Sequence, residues 1–205
     1  GSCESTPYGF DPPKGDRARV RSWPVRELNG VILAYYSPSR AEPTWHIPEL
    51  DHSGWSTLYN HKYEGLRATP EDTSENSVDA GHFTQVHNFQ SARIAKELQL
   101  DGPLLTISHE IQAEIPGNPF KKPTLQVHFD IEVRGLGWSL VSGRIPALRT
   151  RFHNYVLTTP VDAETSDLRV CTIAEGDFGP AGFLKHAIGA MAFQGLKHEV
   201  SQDFE

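Results

Sequence analysis

The chain is poor in several features that would place it in a class at once. Its 205 residues include two cysteines, Cys3 and Cys171, too few for a disulfide framework or for a zinc or iron–sulfur site of their own. The chain has 19 Lys and Arg but 26 Asp and Glu, and this excess of negative charge argues against binding to nucleic acid. No apolar run approaches the ~20 residues of a membrane helix. These absences favour a cytoplasmic globular protein.

The N-terminal end has neither a Met nor the pattern of a signal peptide. It opens on Gly1-Ser2-Cys3, without a basic segment followed by an apolar one. We therefore expect a piece of a longer chain, with a Gly-Ser cloning remnant as the alternative.

Alternation of polar and apolar residues predicts a largely β architecture. Residues 17–26 and 31–36 flank Asn29-Gly30, a pair suited to the positive φ angles of a hairpin turn. Residues 37–69 show no sustained period and are expected to be irregular, with one strand near residues 64–68. Further strands are expected at residues 105–115 and 125–133, and around 137–143, 147–158 and 167–174.

A final helix is predicted from Pro180 towards the C-terminus. Its apolar residues at helical spacing are Leu184, Ile188, Met191, Ala192 and Leu196. We expect Gly189 and Gly195 to let this helix approach the sheet closely. A long helix across a curved antiparallel sheet is an α+β, helix-grip (START-like) fold, which encloses an apolar pocket. We expect residues 1–205 to form one such domain.

The segment from residue 75 to residue 87 concentrates polar side chains that suit metal binding. Thr69-Pro70-Glu71-Asp72 has the composition of a helix start. In an ideal helix of about 3.6 residues per turn, Asn76, Asp79, His82 and His87 would share one arc between apolar neighbours. Polar groups drawn inward need partners, and a metal ion is one partner that satisfies imidazoles.

Two His and one carboxylate on one side of a metal form the facial triad of Fe(II) oxygenases. Asp203 is the candidate carboxylate because it lies seven residues after Leu196 and extends the apolar stripe of the final helix. Spacing alone leaves two interpretations open, an iron site or His residues that are exposed or hydrogen-bonded in the core. For His109 and His128, which lie on predicted strands, we expect a solvated or hydrogen-bonded role.

Several segments resemble a known family. Asp79-x-x-His82-x-x-x-x-His87, preceded by Glu75-Asn76, resembles the iron-binding signature of Rieske non-haem iron oxygenases. Ser201-Gln202-Asp203-Phe204-Glu205 resembles the segment that carries the ligating Asp of that family. Similarity to the 3-ketosteroid 9α-hydroxylase and cholesterol 7-desaturase branch is carried by Trp23-Pro24-Val25, Asn29-Gly30-Val31-Ile32 and Glu42-Pro43-Thr44-Trp45.

This resemblance implies a function and a site. It implies that His82, His87 and Asp203 bind Fe(II), and that Asn76 lies close to the iron without tight coordination. Asp79 would accept a hydrogen bond from a His of a Rieske [2Fe-2S] cluster, on a neighbouring subunit of a homotrimer. A steroid or sterol-like substrate would be hydroxylated or desaturated with dioxygen, using electrons from a ferredoxin or flavin reductase.

One departure from the family is the absence of its Cys-x-His and Cys-x-x-His cluster motifs. We therefore expect the Rieske domain to be missing from this chain, which would turn over only with peroxide or with electrons supplied by another polypeptide. Two other functions stay open. The first is passive binding of a sterol or lipid, and the second is dihydroxylation of an aromatic ring.

Overall fold

The computed structural model describes residues 1–9, 11, 15, 18–87, 89–114 and 124–204. The chain divides into two compact units, Gly1–Asp51 and a larger unit that begins at His52. That residues 1–205 act as one catalytic domain stays a prediction. Within the described residues, no helix combines the length and the apolar character needed to cross a membrane.

The first unit contains the predicted hairpin. Strand β1 (Val25–Leu28) pairs antiparallel with β2 (Val31–Ala34). Asn29 and Gly30 between them have φ angles of 55° and 80°, the left-handed conformation that a type I′ turn requires. The strands are shorter than predicted, because residues 18–24 do not join the ladder and β2 ends at Ala34.

The second unit contains a sheet of seven antiparallel strands in the order β3-β9-β8-β7-β6-β5-β4. Strands β4 to β8 each pair with the next strand along the chain, and β9 also pairs with β3, so β3 and β4 are the two edges. The strands are β3 (Tyr59–Leu66), β4 (Ser91–Asp101), β5 (Leu104–Glu114), β6 (Thr124–Arg134), β7 (Trp138–Ile145), β8 (Thr150–Pro160) and β9 (Ser166–Gly176).

Among the described residues, three α-helices accompany the sheet, namely α1 (Pro70–Asn76), α2 (Ala80–Gln85) and α3 (Leu184–Gln202). Helix α3 packs mainly on β9, and α2 packs on β4. In register across the sheet, Phe129, Gly143, Phe152 and Ala174 share one face. Apolar side chains of β5 and β6 pack with α2 on this face, and those of β9 pack with α3. The predicted α+β helix-grip fold is confirmed, and we call this face the inner face.

The buried side of α3 differs from the prediction. Gly189, Phe193, Leu196 and Val200 face the sheet, whereas Met191 is 73% exposed. At Gly189 an added Cβ would lie 2.8 Å from Oγ of Ser56, so this glycine does permit close packing. Gly195 has nothing within 4 Å of such a Cβ, so its predicted role in close packing was wrong.

Strand β4 was not predicted. Its sequence is rich in Ala, Lys, Glu and Leu, residues that favour helices, and pairing with β5 overrides that preference. The predicted strand ends at residues 17 and 115, and Glu205 of the C-terminal motif, lie outside the described residues.

Candidate metal centre

Two short helices replace the single helix predicted before His87. Helix α1 has a capping box, in which the side chain of Thr69 accepts from the backbone N–H of Asp72 and the Asp72 carboxylate accepts from that of Thr69. Helix α1 ends at Asn76, and Asp79 caps α2 by accepting a hydrogen bond from the Gly81 N–H at 2.7 Å. The prediction of one continuous helix was wrong, because the Asp79 side chain binds a backbone N–H group and starts a new helix.

The structure brings His82, His87 and Asp203 together from two separate parts of the chain. His82 lies on α2, His87 follows the C-terminal cap of that helix, and Asp203 is the C-terminal cap of α3. Oδ1 of Asp203 lies 2.9 Å from Nε2 of His82 and 3.5 Å from Nε2 of His87. The two imidazole rings are almost perpendicular, at 87°, with centroids 4.6 Å apart.

All three side chains are largely withdrawn from solvent, with 12%, 5% and 13% of the His82, His87 and Asp203 side chains exposed. Burial lowers the pKa of His87, although the Asp203 charge opposes this shift. Burial raises the pKa of Asp203, against the influence of both His residues. Burial therefore disfavours the charged forms of His87 and Asp203, and a bound cation would compensate the cost of ionising Asp203.

Gln202 orients one of the rings. Its side-chain oxygen Oε1 accepts a hydrogen bond from Nδ1 of His87 at 3.3 Å. With the proton on Nδ1, the lone pair of His87 is on Nε2, the nitrogen that faces Asp203. Such a contact fixes both the tautomer and the ring orientation of a metal ligand.

The donor atoms fit a metal ion better than they fit one another. Oδ1 of Asp203 is buried and makes no hydrogen bond of acceptable geometry to any described residue, despite its short distances to both rings. The ligand atoms of all three residues lie within 4.8 Å of one another, and they form the one such group found among the described residues. Two imidazole nitrogens and one carboxylate oxygen are the donor set of the Fe(II) facial triad.

Asn76 and Asp79 do not join this group. Asn76 is the last residue of α1 and is half-buried, while Asp79 is exposed at the start of α2. Their roles near the iron and beside a cluster stay predictions.

One buried aromatic side chain lies near both the candidate metal centre and the inner face of the sheet. Phe83, between the two His residues in sequence, is buried and lies 6.3 Å from the His87 ring and 6.0 Å from Phe129. Its ring is also 5.1 Å from that of His109, which is 1% exposed. Neither ring nitrogen of His109 has a hydrogen-bond partner in the described part of the chain.

The expectation of a solvated or hydrogen-bonded role for His109 is therefore wrong. A signal in the sequence was missed. Alternate residues of a strand face the same side, and residue 109 alternates in step with the apolar residues 105, 107, 111 and 113 of β5. His128 lies on the other face of the sheet, half-buried, with Nδ1 3.5 Å from Oε1 of Glu110, as the prediction requires.

Residues 34–205 match the family described as the 3-Ketosteroid 9alpha-hydroxylase C-terminal domain. Cholesterol 7-desaturase from Hemicentrotus pulcherrimus is 34% identical over 92 residues, 42% of this chain and 19% of that protein. A probable 3-ketosteroid-9-alpha-monooxygenase oxygenase component from Rhodococcus rhodochrous is 28% identical over 92 residues, 42% of this chain and 23% of that protein. A 5,5'-dehydrodivanillate O-demethylase oxygenase subunit from Sphingobium sp. is 30% identical over 108 residues, 50% of this chain and 25% of that protein.

Each match spans about a quarter or less of the relative's length. Solved structures share the fold at low sequence identity. NdmA from Pseudomonas putida CBB5, a mutant with caffeine, has a TM-score of 0.66 at 13% identity, covering 100% of this chain and 57% of that chain. Dicamba monooxygenase bound to dicamba has a TM-score of 0.61 at 16% identity, and the match covers 95% of this chain and 67% of that chain. Since the family match extends over most of the sequence, the chain belongs to the 3-ketosteroid 9α-hydroxylase C-terminal domain family.

Proposed function

We propose that this chain is the catalytic part of a Rieske-type oxygenase, with Fe(II) held by His82, His87 and Asp203. The observation that carries the proposal is the convergence of these side chains around a buried Asp203 oxygen without a hydrogen bond. Family membership and relatives named as oxygenases or desaturases support it.

In this function the protein fixes the ligands and keeps water from the site. Fe(II), when bound, would supply the activation of dioxygen at the positions that a facial triad leaves open. Gln202 holds the His87 ring with its Nε2 lone pair towards Asp203. The buried Phe83 ring closes one side of the centre, which excludes water and strengthens electrostatic interactions within it.

Electrons are proposed to come from outside this chain, by way of Asp79. The two cysteines are 168 positions apart in the sequence, one exposed and one buried, and neither belongs to a cluster motif. Asp79 is exposed three residues before His82, so a cluster-ligating His on a neighbouring subunit could donate a hydrogen bond to it. The homotrimer, the place of Asn76 beside the iron, and the ferredoxin or flavin reductase are parts of the same proposal.

The proposed substrate is a steroid or sterol-like molecule, to be hydroxylated or desaturated. The curated relatives named for cholesterol and for 3-ketosteroids support this class. An aromatic substrate is the second candidate, favoured by the dehydrodivanillate O-demethylase relative. Binding of steroids compared with that of small methoxylated arenes would separate the two.

The iron site can be tested by anaerobic reconstitution with Fe(II), followed by measurement of bound iron per chain. We expect one iron in the wild type and its loss in His82→Ala and in Asp203→Ala. The matched control is His128→Ala, because His128 lies on the opposite face of the sheet and should not affect iron content. Absence of iron from the wild type, together with steroid binding, would instead favour a passive sterol or lipid carrier.

A further inference from the structure

The inner face of β5 and β6 is apolar with one exception. Its apolar residues are Leu105, Ile107, Ile111 and Ala113 on β5 and Val127, Phe129, Ile131 and Val133 on β6. The exception is His109, which stands in the middle of the β5 row opposite Phe129. A polar residue inside an apolar row loses its hydration and needs a partner to replace it.

No described residue supplies that partner. Both Nδ1 and Nε2 of His109 are buried without a hydrogen bond, and the residue is 1% exposed. A neutral imidazole offers one N–H donor and one lone pair, and leaving both unsatisfied is costly. Burial lowers the pKa of His109, against the opposing influence of the Asp79 charge, so the ring is neutral at physiological pH.

Two other buried polar side chains at the inner face, Thr172 and Ser56, have hydrogen-bond partners. Oγ1 of Thr172 donates to Oδ1 of Asn154 at 2.8 Å, and Oγ of Ser56 accepts from the Ala174 N–H at 3.0 Å. The buried Oγ of Ser166 on β9 also lacks a partner, whereas His109 leaves two ring nitrogens unsatisfied.

The position of His109 relates it to the metal centre. The Phe83 ring neighbours both residues, with its centroid 5.1 Å from that of the His109 ring and 6.3 Å from that of the His87 ring. A group bound by His109 would thus lie beside the aromatic ring that also neighbours His87, and the apolar row would contact the remainder of the same molecule.

We propose that His109 hydrogen-bonds an oxygen substituent, a hydroxyl or a ketone, of an otherwise apolar polycyclic substrate and so determines which part of that substrate faces the metal centre. This inference rests on the proposed oxygenase function. A ketone accepts from the imidazole N–H, whereas a hydroxyl can use either nitrogen. His109 is then a specificity-determining residue, and it does not ligate the metal.

The test compares three saturated steroids that differ only in oxygen, namely androstanol, androstanone and androstane. Their dissociation constants are measured by quenching of tryptophan fluorescence in the wild type, His109→Phe and His109→Gln. We expect the wild type to bind the alcohol or the ketone about tenfold or more tightly than the hydrocarbon. His109→Phe should abolish this preference without weakening androstane, and His109→Gln should retain part of it because glutamine keeps a donor and an acceptor.

The control is His128→Phe, the same substitution on the opposite face of the neighbouring strand, which should keep the wild-type preference. The ligand-free His109→Phe protein should have a Tm equal to or above that of the wild type, since an unpaired imidazole is removed. A lower Tm with an unchanged preference is the result expected of a purely structural His and would overturn the inference.

Iron content, measured on the same samples, separates the two proposals. A wild type that binds Fe(II) but shows no preference for oxygenated steroids overturns the role of His109 and leaves the oxygenase proposal standing. A wild type that binds neither iron nor any of the three steroids overturns both.

Discussion

Among single residues, Gln202 is expected to support the proposed metal centre without being a ligand itself. Its contact with Nδ1 of His87 selects the tautomer whose Nε2 lone pair faces Asp203. Hydrogen bonds of this kind to metal-ligating His residues typically contribute about 10- to 100-fold in metal affinity.

We therefore expect Gln202→Leu to weaken Fe(II) binding by about 10- to 100-fold while leaving the fold intact. The measurement is an anaerobic Fe(II) titration, with Gln194→Leu as the control, because Gln194 is exposed on the same helix. Equal affinities in Gln202→Leu and the wild type would show that Gln202 does not orient the ring.

His153, on the opposite face of β8 from the metal centre, should make stability depend on pH. Its Nδ1 lies 2.9 Å from Nε2 of His52, and its ring packs against Trp55 at a centroid distance of 4.5 Å and an interplanar angle of 39°. Burial, with added repulsion from His52 and Arg151, lowers the pKa of His153 from 6.5 to about 4. Between these values the unfolded chain binds more protons than the folded chain.

The free energy of unfolding should consequently fall as the pH decreases from about 6.5 to about 4. Urea denaturation at several pH values across this window measures the decline. His153→Phe, which keeps an aromatic ring against Trp55, should show a shallower decline than the wild type. A slope unchanged by this substitution would contradict the assignment.

At the scale of elements, α3 provides a matched pair of glycines. A Cβ at Gly189 would meet Ser56 at 2.8 Å and Tyr59 at 3.1 Å, whereas a Cβ at Gly195 meets nothing within 4 Å. We expect Gly189→Ala to destabilise the protein by about 1–3 kcal/mol through overpacking. Gly195→Ala should stabilise it by about 0.5–1 kcal/mol through helix propensity.

Both glycine variants can be compared with the wild type by urea denaturation. Loss of stability in both, or in neither, would mean that the approach of α3 to the sheet is not set at Gly189.

The elements differ in how far the sequence predicts them. Period-two alternation located β5 and β6, and Asn29-Gly30 located the first hairpin, since both signals are local. Strand β4 was not predicted, because its composition favours a helix and only its pairing with β5 makes it a strand. The break between α1 and α2 was not predicted, because an ideal helical projection ignores the ability of Asp79 to cap a helix.

At the scale of the whole molecule, the proposed metal centre brings together residues from distant parts of the chain. His82 and His87 belong to the region of α2, which packs on β4, and Asp203 ends α3, which packs on β9 near the other edge of the sheet. A metal ion bound to all three would tie these helices together, and binding to the folded state alone stabilises it by mass action.

We expect anaerobic Fe(II) to raise the Tm of the wild type in proportion to the logarithm of metal concentration. At about 100 times the dissociation constant the gain is about 2.7 kcal/mol. Asp203→Asn should lose this concentration dependence while its metal-free Tm stays close to that of the wild type. A rise in Tm that persists in Asp203→Asn would place the bound metal elsewhere.

The sequence by itself determined the two His ligands of the proposed site, the helix-grip class and the family resemblance, because these depend on short spacings and on local periodicity. Asp203 was predicted as a ligand because it continues the row of apolar residues along α3. Only the packing of α3 on β9, however, brings its carboxylate to the two imidazoles. Tertiary structure alone showed that His109 is buried without a partner. Convergence and burial depend on contacts between residues far apart in the chain, which local patterns do not specify.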